Sequence, residues 1–257
     1  MKKGDSMNNY NGNYNGYEFN QNPYSASSSR QGISLADYSR RVYAWMASGL
    51  AVTFIISFFI TNYLNRLVLD GKFEQLETYS GVFLIVALVE VALVFVLGFF
   101  IYKLPPTVSI VLFYAYAVCN GITIAPTLFI YGMTSVFYAF AATALLFGSI
   151  SIYGFLTKRD LTKLGPILMI GLFVLIIYSI FAMIFRMPMS DLVISLIGIA
   201  LFIGFTAYDT QKIKKGYEYF SNTSDMVQRS SITIALQLYL DFINLFLYLL
   251  RLLNRER

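Results

Sequence analysis

The chain has 257 residues, 57% of them apolar and only 13% charged, with 19 lysines and arginines against 14 aspartates and glutamates. That balance excludes a soluble globular domain and describes an integral membrane protein. There is no histidine and a single cysteine, Cys119, which excludes zincin motifs, histidine-based triads, histidine-held haem, histidine pH switching, internal disulfides and multi-thiolate metal sites.

Residues 1–35 are rich in Asn, Tyr, Gly and Ser (NNYNGNYNGYEFNQNPYSASSSRQG). Such a stretch buries too little apolar surface to fold, so a disordered cytoplasmic tail is expected, followed by a membrane domain over 36–257. The N-terminus lacks an apolar h-region, which leaves targeting to the first span.

Seven apolar segments of spanning length follow. The first runs from Val42 to Tyr63, directly after Arg40 and Arg41. The second, Tyr79 to Tyr102, carries Glu90 near its middle. The third, Val108 to Tyr131, contains Asn120, Gly121 and Pro126, where a proline kink tolerated by neighbouring helices is expected. The fourth, Ser135 to Leu156, ends in the polar loop TKRDLTK. The fifth covers Pro166 to Phe185, the sixth Leu192 to about Lys212, and the seventh about Ile232 to Leu253. Small residues four apart (Gly121 and Ala125, Ala144 and Gly148, Ala200 and Gly204) would let helices approach closely.

With seven spans, 13 of the 19 basic residues fall on the side of the N-terminal tail, which places that tail in the cytoplasm. Arg251, Arg255 and Arg257 pull the other way, toward a re-entrant last segment; the length of that segment favours a full span. The net charge of +5 follows from this topology and does not imply a nucleic-acid partner.

An ionisable group inside a span is costly and marks a candidate functional site. Asp241 lies in LQLYLDFINLF, about 12 residues past Arg229 or roughly 18 Å along a helix. Gln237 and Asn244 share its helical face. Asp209 lies in GFTAYDTQKIKK, after Tyr208 and three residues before Lys212. It would either pair with Lys212 at the surface or sit roughly 9 Å inside, shallower than Asp241. Spacing alone does not bring the two aspartates together. If they meet, both charges are disfavoured by desolvation and by each other, and the pair shares a proton and titrates as a unit. Fully ionised, it offers hard oxygen ligands to Ca²⁺, transiently and in competition with protons. Glu90 would line a cation path, pair with a lysine, or stay protonated and hydrogen-bonded.

GFTAYDTQKI and the C-terminal LYLDFINLFLYLLRLL resemble the signature of the Bax inhibitor-1 family, whose members carry the transmembrane Bax inhibitor motif. The loop YGFLTKRDLTKLG, NGITIAPTL in the third segment and VEVAL in the second resemble it too, so the likeness extends from about Arg40 to Leu253. The resemblance implies an all-α fold of seven transmembrane helices, with the last helix central and wrapped by the other six. It implies a non-enzymatic, pH-sensitive calcium leak channel in a bacterial plasma membrane, with no tightly bound cofactor. Asp209 and Asp241 would be its pH sensor and gate, Glu90 its cation path or gate, and Tyr208, Gln237 and Asn244 a supporting polar face. Family members often carry an arginine near the end of the second helix that latches the sixth-helix aspartate. Here that region reads GFFIYKLPP and offers only Lys103, which cannot make the forked arginine contact.

Two alternatives stand beside the channel. Some bacterial relatives are partners of membrane proteases, so a non-conducting regulator of a membrane protease or of a stress or cell-death pathway is the second reading. An intramembrane aspartyl protease is the remote third, because Leu238-Tyr239-Leu240-Asp241 replaces the Gly-x-Gly-Asp that such enzymes carry and the Pro-Ala-Leu motif is missing.

Overall fold

The computed structural model describes residues 33–100, 103–185, 191–220 and 223–254. Residues 1–32 of the expected tail, Arg255 and Arg257 therefore lie outside the described residues. Seven α-helices make up the described chain: α1 (Leu35–Leu69), α2 (Phe73–Phe100), α3 (Pro106–Tyr131), α4 (Met133–Leu156), α5 (Leu164–Ile184), α6 (Asp191–Phe220) and α7 (Ser224–Leu253). Each is long and apolar enough to cross a membrane, and no strand occurs among the described residues. The protein is a seven-helix integral membrane protein.

Several helices outrun their apolar segments, and local chemistry explains where they stop. α1 begins at Ser34, whose hydroxyl accepts from the Asp37 N–H and donates to the Asp37 carboxylate, an N-terminal cap that satisfies otherwise orphaned groups. α3 starts on Pro106, a residue that costs nothing in the first turn. Gly132, at φ 77°, ends α3 and begins α4 in a one-residue corner that favours glycine. α6 continues through its lysines to Phe220, and α7 runs unbroken for 30 residues. The last segment is thus a full-length helix and not a re-entrant hairpin.

α7 is the central helix. Sixty-one per cent of its most apolar window is buried, against 6% for α2 and for α5. α1, α3, α4 and α6 pack directly on α7, while α2 packs mainly on α3 and α5 on α6, outside that ring. Aromatic side chains fill the seams: Tyr239 meets Phe113 and Tyr116 edge-on, and Phe242 meets Phe140 and Phe147 in the same way.

α3 runs through Pro126, and a neighbouring helix takes up the carbonyl that the proline leaves free. Pro126 has no N–H for the carbonyl of Ile122 four residues earlier, and the Tyr79 hydroxyl of α2 donates to that oxygen at 2.8 Å. Of the small residues expected at helix contacts, Gly121 packs against Thr53 and Ile56 of α1, whereas Gly148 faces open space. At Gly154 two backbones come close: a Cβ there would lie 2.5 Å from the carbonyl oxygen of Ala207.

Candidate functional site

Asp209 and Asp241 meet where α6 and α7 pack together. α6 extends eleven residues past Asp209, so that carboxylate lies about 17 Å from the helix end at 1.5 Å per residue. Each aspartate is 4% exposed, and the two carboxyl groups line one cavity at the α6–α7 contact.

Lys212 completes the group. Its Nζ lies 2.7 Å from Oδ1 of Asp209 and donates to Oε1 of Gln237 at 3.2 Å. Its charge also sits 4.3 Å from the centre of the Tyr208 ring, within cation–π range. The pair between Asp209 and Lys212 is therefore formed, but inside the bundle and not at the surface. Lys103, in the turn past the end of α2, is exposed and lies 5.8 Å from the ring centre of Phe100. The cation that holds the sixth-helix aspartate is Lys212, one turn along the same helix. The second oxygen of Asp241, Oδ2, is buried and has no hydrogen-bond donor among the described residues.

These groups line a cavity of about 750 Å³ together with Tyr208, Gln237 and Asn244. Its apolar walls come from α5 and α6, including Met169, Leu172, Ile176, Phe202 and Phe205. The Asn244 amide nitrogen bonds the Leu240 carbonyl of its own helix at 2.8 Å, which leaves its oxygen as an acceptor. No group of three or more Asp, Glu or Cys side chains suited to a metal ion occurs among the described residues.

Glu90 does not join the aspartates. Its carboxylate accepts from Asn120 Nδ2 at 2.5 Å and from Thr123 Oγ1 at 2.7 Å, both on α3. The oxygen of the same Asn120 side chain accepts from the Tyr239 hydroxyl of α7 at 3.0 Å, and that hydroxyl is 2.6 Å from Thr53 Oγ1 of α1. One polar network thus ties four helices together, with hydrogen bonds standing where a lysine partner was one of the expected options. Tyr116 belongs to both regions. Its ring lines the aspartate cavity and packs edge-on against Tyr239 of the network, with centroids 5.8 Å apart.

Sequence reasoning passed over Gln211, although it stands in the YDTQ stretch. Its side chain holds the backbone of the α4–α5 loop at two points, accepting from the Leu161 N–H and donating to the Arg159 carbonyl, both at 2.8 Å. Lys215 adds a 3.1 Å contact to Asp160 and another to Thr162. Downstream of this clamp, Gly165 and Pro166 close one wall of the cavity beside Tyr208. Its place between Asp209 and Lys212 in the YDTQK stretch was the available signal.

The chain matches the family model described as inhibitor of apoptosis-promoting Bax1 over residues 35–257. It is 35% identical over 237 residues to the inner membrane protein YbhL of Escherichia coli (strain K12), covering 91% of this chain and 98% of that protein. Relatives in Rickettsia prowazekii and Deinococcus radiodurans are 37% and 36% identical, covering 87% and 84% of this chain and 91% and 90% of their own.

Proposed function

Because the chain belongs to the Bax inhibitor-1 family of membrane proteins, we propose that it is a pH-sensitive calcium leak channel gated by protonation of the Asp209–Asp241 pair. The observation that carries this reading is the unpartnered Oδ2 of Asp241, buried beside a second carboxyl group at the α6–α7 contact. A proton held between the carboxyl groups, or an incoming cation, supplies the missing partner. Two ionised carboxylates in one desolvated site repel each other.

Protonated, the pair bridges α6 and α7. Ionised, it loses the bridge and gains affinity for a hard cation, so calcium flux rises as the pair ionises. Ca²⁺ takes six to eight oxygen ligands. Two carboxylates with the amide oxygens of Gln237 and Asn244 fall short of a closed cage, which suits passage better than storage. Lys212 is a tethered cation already at the site, and its ammonium must swing aside for a calcium ion to reach Asp209. The path continues past Tyr116 to Glu90. By the lysine and arginine distribution, the N-terminal tail faces the cytoplasm, in a bacterial plasma membrane as for the E. coli relative.

Purified protein reconstituted alone in liposomes loaded with a calcium indicator tests this. Flux above that of empty liposomes supports a channel. Absence of flux at every pH between 5 and 8 defeats it and favours a non-conducting regulator of a membrane protease.

A further inference from the structure

The aspartate cavity has a mouth toward the lipid. Of its lining residues, Val91 on α2 is 55% exposed, and Met169 and Ile176 on α5 are 46% and 43% exposed. α5 rests mainly on α6 and α2 on α3, so these exposed walls flank a gap between two peripheral helices. All three residues lie within candidate spans. A ligand entering here comes from the bilayer.

The inner end of the cavity is polar and carries one unmet need. Asp209 is paired with Lys212, and Lys212 is shared with Gln237. Asp241 is left, with Oδ2 buried and without a donor. The free side-chain oxygen of Asn244 stands one turn along the same face of α7. From there outward the walls are Leu172, Phe202 and Phe205, with Met169 and Ile176 at the rim. The volume, about 750 Å³, lies inside the range of small-molecule sites, about 300–1,000 Å³.

We propose that this cavity binds a cationic amphiphile from the membrane, a long-chain primary amine with its ammonium on Asp241 and its chain along α5. An ammonium has three donors and no acceptor, which matches the Asp241 carboxylate and the Asn244 oxygen. With the pair ionised, a fatty acid would set a second anion against Asp241, and a fatty alcohol would leave its charge unanswered. The apolar wall takes the alkyl chain out of contact with the polar end. Occupancy does not depend on whether the protein conducts calcium, since only the cavity and Asp241 are used.

Photocrosslinking in lipid nanodiscs tests the proposal with three diazirine-tagged probes of equal chain length: octadecylamine, octadecanol and stearic acid. The expected result is saturable labelling of α5 and α6 peptides by the amine alone, displaced by untagged octadecylamine. Asp241→Asn should cut that labelling by about tenfold or more, the scale of one lost charge-assisted contact. Leu172→Trp, which fills the apolar half and leaves both aspartates in place, should cut it similarly. Equal labelling by all three probes, labelling elsewhere in the protein, or labelling unchanged in both variants overturns the proposal and reduces the cavity to ordinary lipid contact.

Discussion

Lys212 and Asp209 form an ion pair of 2.7 Å one turn apart on α6, with the aspartate side chain 6% exposed and the lysine side chain 30%. The lysine thus reaches inward from a partly exposed position to a buried carboxylate. It makes the cost of an ionised Asp209 in the bundle bearable, and through Gln237 it fastens α6 to α7.

Replacing Lys212 with Met removes that cation and keeps the volume of its stem. The expected cost is about 2 kcal/mol, less than the about 3–5 kcal/mol of a fully buried pair because the lysine is partly exposed. Ionising the aspartates also becomes harder without a positive neighbour. The pH midpoint of calcium flux should therefore move to higher pH in Lys212→Met, as read by a flux titration. An unchanged midpoint would remove Lys212 from the sensor.

Asp160 supplies a control outside the membrane. The Thr162 hydroxyl, the Thr162 N–H and Lys215 hold its carboxyl down at about 2, against an ordinary 3.8. A lowered value stabilises the folded state above the ordinary value, and that contribution is lost only as pH falls through about 2. Between pH 5 and 8 it is constant. Asp160→Asn should lower the melting temperature in detergent equally at pH 5 and pH 8 and leave the flux midpoint where it is.

The network from Glu90 to Thr53 passes through the Tyr239 hydroxyl. Tyr239→Phe keeps the ring contacts with Phe113 and Tyr116 and leaves the buried Asn120 oxygen without its donor. Thermal unfolding should report a loss of about 1–3 kcal/mol. Combined with Asn120→Leu, the loss should be smaller than the sum of the two single losses, because both substitutions break the same bond.

At Gly154 the α4 backbone touches Ala207 of α6. Gly154→Ala pushes the two backbones apart, a strain of about 1–3 kcal/mol. Gly148→Ala, which meets nothing within 4 Å, should leave stability unchanged or raise it slightly through helix propensity. The pair of melting temperatures separates contact from composition.

Seven helices were legible because apolar runs of spanning length do not hide, and Asp241 was legible as deep because Arg229 marks the edge of its apolar run. The helix ends were not. α1 gains its first turn from a serine cap, and α6 keeps its last turns although they contain three lysines, one of which is drawn inward and another onto a loop. Asp209 and Asp241 come together through the packing of α6 on α7, which spacing along either helix does not record. The partners of Glu90 were in view as Asn120 and Thr123 of NGIT, but a pairing across 30 and 33 residues leaves no periodic trace. Gln211 reads as one more polar residue near a helix end until the loop that it holds is seen.

The most direct test of the central claim is calcium flux into proteoliposomes from pH 5 to 8 for wild type, Asp209→Asn, Asp241→Asn and the double variant. A coupled pair predicts flux that rises with pH in the wild type and loses its pH dependence in each single variant, with no further change in the double. Wild-type pH dependence persisting in both single variants would contradict the account and place the sensor elsewhere, with Glu90 the next carboxylate to test.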